Sequence, residues 1–125
     1  MPLINTHGEL LQEDAAEAVQ LLPDAKLEDI AQDLPNIGLI EIVFPKFRDG
    51  RGFTLARTLR ERFGYKGDIR ATGHFIPDQF VSLIACGFSS FVTPAEHSPA
   101  QFAAVTGARQ PGQLLRRTVS RAREG

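Results

Sequence analysis

The sequence is short of the residues that usually announce a chemistry. One cysteine, Cys86, stands among 125 residues, so the chain can close no disulfide within itself. The three histidines, His7, His74 and His97, have no metal-like spacing, and no Cys-x-x-Cys, iron–sulfur or haem pattern is present. Neither a metal nor a covalent cofactor is expected. No carboxylate pair is spaced for acid–base work, and the spacings of a Walker loop or a dinucleotide fingerprint are missing. No run approaches the roughly 20 apolar residues that a membrane span needs. Met1-Pro2-Leu3-Ile4-Asn5 is not a basic region leading into an apolar core, so no secretion signal is read there. The expected location is the cytoplasm, with no membrane partner.

What is present suits one globular domain. A hydrophobic fraction of 42% is ordinary, and a chain of this size buries roughly two-thirds of its unfolded surface without staples. The domain is expected over residues 1–106, followed by a basic tail over 107–125 that a helix from Gln113 to Arg123 would fit. The net charge is −1, unevenly placed. Glu9, Glu13, Asp14, Glu17, Asp24, Glu28, Asp29 and Asp33 crowd the front, and Arg109, Arg116, Arg117, Arg121 and Arg123 the tail. Opposite ends of this kind attract one another within or between chains, and a homodimer is expected. Nucleic acid is not, because the tail has no aromatic residue to stack on a base and the chain is not basic.

Strand and helix signals alternate along the chain. Leu3-Ile4-Asn5 and Glu9-Leu10-Leu11 flank a turn at His7-Gly8, which reads as a hairpin. Ala18 to Leu22 reads as a short strand. Asp24 then reads as the cap of a helix carrying Leu27, Ile30, Ala31 and Leu34, stopped at Pro35-Asn36. Ile37 to Phe44 is almost continuously apolar, which suits a strand covered on both faces. A helix to Phe63 follows with Leu55, Ala56, Leu59 and Phe63 on one side, and Gly64 stops it. Asp68 to Thr72 is a strand, and Pro77 opens a helix with Phe80, Leu83 and Ile84 inward that closes at Gly87. Phe88 to Val92 is a strand, and Ser98-Pro99-Ala100-Gln101 is a capping box before Phe102 and Val105. The pattern predicts an α/β fold of repeated strand–helix units with a mainly parallel sheet. An open sheet and half of a β/α barrel fit it equally. Either places ligands at the C-terminal ends of the strands.

The strand ends supply the candidate residues. After the Ile37 strand, Lys46, Arg48 and Arg51 stand beside Gly50 and Gly52 at the start of a helix. Free N–H groups, glycine backbone and cations there favour an anion. The expected anion site is Lys46, Asp49, Gly50, Arg51 and Gly52. Asp49-Gly50 reads equally as a turn in which Asp49 caps the helix. After the Asp68 strand come His74, which can move a proton near neutral pH, and Asp78. These two are the candidate catalytic residues, though exposure alone accounts for His74, and a capping or helix-dipole role accounts for Asp78. Cys86 falls in the last turn of its helix, where a thiol is expected to be buried and inert.

The run from Phe44 to Phe91 resembles a known family. It carries Phe44-Pro45-Lys46-Phe47, Asp49-Gly50-Arg51-Gly52-Phe53 and Ala56-Arg57. Further on it carries Leu59-Arg60-Glu61-Arg62, Gly64-Tyr65, Gly67, Arg70-Ala71, Gly73, Asp78-Gln79 and Cys86-Gly87-Phe88. The pattern is similar to that of bacterial domain-of-unknown-function family 934. The resemblance implies an uncharacterised protein associated with assimilatory sulfite reduction, often labelled an oxidoreductase. A sulfite reductase component is then an implied partner. It carries over no catalytic residue, and this chain has His74 where the family pattern has aspartate. Three roles stay open: an accessory protein of sulfite reduction, an enzyme with a small oxyanion at the strand ends, and an oxidoreductase using a flavin or nicotinamide.

Overall fold

In the computed structural model, which describes residues 2–12, 17–46 and 48–108, four strands run parallel and in sequence order. They are β3 (Val19–Leu21), β4 (Leu39–Phe44), β5 (Asp68–Gly73) and β6 (Ser90–Val92). The hairpin β1 (Leu3–Asn5) and β2 (Leu10–Leu11) completes the sheet when β1 pairs antiparallel with β6. The order is β2-β1-β6-β5-β4-β3, a six-stranded, mostly parallel sheet in a mixed α/β fold.

Three helices cover one face: α1 (Arg51–Glu61), α2 (Phe80–Cys86) and α3 (Pro99–Ala108). Alternation along the strands decides what they cover, since successive side chains point to opposite faces. Ile40, Ile42 and Phe44 of β4 share the helix side with Leu21, Ile69, Ala71, Phe91 and Ile4, all in one buried cluster. Phenylalanines dominate this core. Phe80 meets Phe91 edge-on at 4.7 Å, and Phe102 meets Phe75 and Phe80 at 5.6 and 5.4 Å. The opposite face bears a row of polar residues in cross-strand register, Gln20, Glu41, Arg70, Ser90 and Asn5. The next row on the same face is Val43, Thr72, Val92, Leu3 and Leu11. No described helix packs against this face.

The expected helix after Asp24 is not there. Two short 3-10 helices, Leu27–Asp29 and Ala31–Asn36, take its place, and Lys26, not Asp24, precedes the first. Their bonds close three residues back: Ile30 N–H to Leu27 O, Asp33 N–H to Ile30 O and Ile37 N–H to Leu34 O. In a 3-10 helix, residues three apart eclipse, so Leu27 with Ile30 and Ala31 with Leu34 face inward without an α-helix. Pro35 lies inside the second piece, where it can donate no backbone bond. The other strands and helices fall close to their expected places, with helix α1 beginning at Arg51, but the helix expected to open at Pro77 starts as a short 3-10 helix over Pro77–Gln79 before α2 begins at Phe80. Gly64 and Gly87 end their helices at φ +64° and +112°. The expected Gln113–Arg123 helix lies outside the described residues.

Candidate functional site at the strand ends

The C-terminal ends of β4, β5 and β6 bring three loops together. The first leaves Phe44 through Pro45 and Lys46 to Arg48 and Asp49. The second is Gly73-His74, and the third runs from Thr93 to Ser98. Gly73 is the hinge of the arrangement. At φ +105°, it lets the end of β5 close on β4, so that the His74 N–H donates to Phe44 O at 2.7 Å. A Cβ at Gly73 would lie 2.4 Å from that same oxygen. His74 is thereby pinned beside the first loop, and with Pro45, Lys46 and Arg48 it lines a shallow groove of about 420 Å³.

The helix start beyond this groove is already capped from within. Asp49 Oδ1 accepts from the Arg51 N–H at 3.1 Å, and the Arg51 guanidinium grips the same carboxylate with Nε at 3.0 Å and Nη2 at 2.7 Å. The guanidinium bond, with the backbone bond behind it, lowers the Asp49 pKa to about 2. Arg51 is exposed, and its charge is directed at Asp49. Gly50 precedes the helix with open space around it. Gly52 is different: a Cβ there would lie 2.7 Å from the Phe44 ring, so its bareness lets α1 sit on β4. Of the five expected anion-site residues, Lys46 lines the groove with His74. Asp49 and Arg51 face each other, and Gly52 serves packing. Phe47 lies outside the described residues.

His74 and Asp78 stand on either side of Ile76 and His97. His74 borders a hollow of about 270 Å³ with Phe75, Ile76, Glu96 and His97, and Asp78 borders a more open one with Ile76, Pro77, His97 and Gln101. No hydrogen bond or ion pair joins His74 to Asp78 among the described residues. His74 Nδ1 instead stands 3.9 Å from Glu96 Oε2, with both side chains 61% exposed, a spacing that contributes little by itself. His97 had no evident place in the sequence. The loop after β6 brings it here, with its ring edge-on to Phe102 at 6.4 Å. The only forewarning was the adjoining capping box, which fixes where α3 and therefore Phe102 begin.

Elsewhere, a hollow of about 470 Å³ lies at the other end of the strands, among Leu34, Ile37, Phe63, Tyr65 and Lys66. It gathers no acid or imidazole. Cys86 is buried in the last turn of α2, with the Arg57 Nη2 donating to its sulfur at 3.4 Å. No group of three or more His, Cys, Asp or Glu among the described residues could hold a metal ion, and no helix among them is long and apolar enough to cross a membrane.

A family model matches residues 18–111, from the strand β3 through the end of α3. The chain belongs to that family, Bacterial protein of unknown function (DUF934). The match takes in every loop of the strand-end site of this DUF934 chain and leaves out the β1–β2 hairpin. No curated protein and no solved structure matches the chain.

Proposed function

We propose that this DUF934 chain binds a small oxyanion at the C-terminal ends of β4 and β5, as a cytoplasmic accessory protein of sulfite reduction that works as a homodimer beside a sulfite reductase component. One observation carries the binding reading: the Gly73 hinge sets His74 in the same groove as Lys46 and Arg48. Three nitrogen-bearing side chains around one open groove suit a compact, multiply hydrogen-bonded anion. The link to sulfite rests on the family resemblance, and sulfite is an anion of this kind. Arg51 joins the site only when an anion competes with Asp49 for it.

The test is titration of the full chain with sulfite, sulfate and phosphate, followed by calorimetry and amide NMR shifts. Weak binding that weakens further with added salt is expected, because the groove is exposed. Lys46→Ala and His74→Ala should each reduce affinity about threefold to tenfold, with an unchanged circular dichroism spectrum. Absence of anion-dependent shifts around Lys46, Arg48 and His74 would overturn the reading.

A further inference from the structure

The groove does not stop at His74. That residue is shared with the 270 Å³ hollow beyond it, whose walls include Phe75 and Ile76. Phe75 is wholly buried and held edge-on by Phe44 and Phe102, so this wall is part of the core and not a movable flap. At a water's share of about 30 Å³, the hollow has room for roughly nine water-sized groups. A lone inorganic oxyanion would leave most of it unused.

His97 closes the far side, and its ring is constrained. Nδ1 is buried and has no hydrogen-bond partner among the described residues. Nε2 is the other polar atom of the ring, and an imidazole with its proton there can donate from it. Apolar walls with a few fixed polar groups are the usual make-up of a small-molecule site. Here the cations of Lys46 and Arg48 stand at one end, an aromatic and aliphatic wall beside the Glu96 carboxylate in the middle and the His97 ring at the other.

We infer that the two hollows are one site whose ligand is an organic oxyanion. Its charged head lies among Lys46, Arg48 and His74, and a short carbon body lies along Phe75 and Ile76. A terminal hydroxyl or carbonyl accepts from His97 Nε2–H. This rests on the oxyanion reading above and adds the body of the ligand to it. The probes are inorganic phosphate, methylphosphonate, propylphosphonate and 2-hydroxyethylphosphonate, which keep the head and vary the rest. The last two are matched in size and differ in ending on a methyl or a hydroxyl group.

Calorimetric titration of the full chain should show affinity at least tenfold higher for 2-hydroxyethylphosphonate than for phosphate. His97→Phe keeps an aromatic ring against Phe102 and removes the donor. It should weaken 2-hydroxyethylphosphonate at least fivefold and leave propylphosphonate within twofold. In the unaltered protein, the His97 ring resonances should move with either three-atom probe and stay still with phosphate, a readout that needs no variant to fold. Phosphonates that bind no more tightly than phosphate, with phosphate still sensitive to Lys46→Ala, would overturn this inference and leave the oxyanion groove standing. Silence from every probe would overturn both.

Discussion

Gly73 sits where β5 ends and the site begins, and a side chain there has nowhere to go. Its φ of +105° is unfavourable for any L residue, and the blocking atom is backbone, Phe44 O at 2.4 Å from the hypothetical Cβ. Gly73→Ala is expected to cost about 3 kcal/mol or more, read as a lowered denaturation midpoint with an unchanged m-value. It should also displace His74, whose N–H bond to the same oxygen depends on the close approach. Asp49 offers a second check. Its pKa is lowered to about 2, first by the Arg51 side-chain bond. A carboxyl whose folded pKa is depressed contributes stability above the unfolded value and loses it as the pH falls through the folded one. The Asp49 contribution is thus complete above about pH 4 and fades toward pH 2. Its partner Arg51 is exposed to solvent, so the effect on stability is small, and side-chain NMR is the suitable measurement. Arg51→Ala should return the Asp49 midpoint toward the ordinary carboxylate range.

At the scale of elements, two helical entries use the same device. Gln79 Oε1 accepts from the Ile76 N–H at 3.1 Å before α2, and Gln101 Oε1 accepts from the Ser98 N–H at 2.8 Å at the start of α3. Each glutamine reaches back three residues and ties down a backbone group that the helix leaves unpaired. Gln101→Ala should lower stability by about 0.5–1 kcal/mol in a denaturant titration. The Ser98–Gln101 pairing was legible because a capping box depends on neighbouring residues alone. So were the strands β4 to β6 and the helix α1, where apolar periodicity and glycine stops agree. The segment from Leu27 to Leu34 misled because a spacing of three serves a 3-10 helix as well as an α-helix, and only Pro35 hinted at the choice. In the site, Lys46 and His74 were legible from their places at strand ends. The Asp49–Arg51 grip required side-chain geometry. His97 required the long-range packing of Phe102, which no local pattern contains.

At the scale of the whole molecule, the helices leave one sheet face with no described element against it. Mostly parallel sheets are normally covered on both sides. Val43, Thr72 and Val92 there are neither fully buried nor fully exposed, and Glu41 stands in register beside Arg70. Arg70 is held within its own chain by Asp68 and Ser90, so two copies related by a two-fold axis would meet through Val43 and Thr72, since such an interface is self-complementary. The expected outcome is a dimer by light scattering. Val43→Lys should shift it toward monomer without unfolding the chain. A monomer across working concentrations would count decisively against this association.

The place of β1 in the sheet sets an order of events in folding. β1 precedes every parallel strand in the chain, yet its partner outside the hairpin is β6, and Thr93 N–H closes on Pro2 O across 91 positions. Strands β3 to β6 can join one after another, each beside the last. The hairpin has no neighbour until the whole parallel run exists, and closing so long a loop carries an entropic cost that its short strands must offset. It also lies at the edge farthest from β3, the next strand in the chain. The last edge of the sheet is thus sealed by a segment that precedes every parallel strand in the chain.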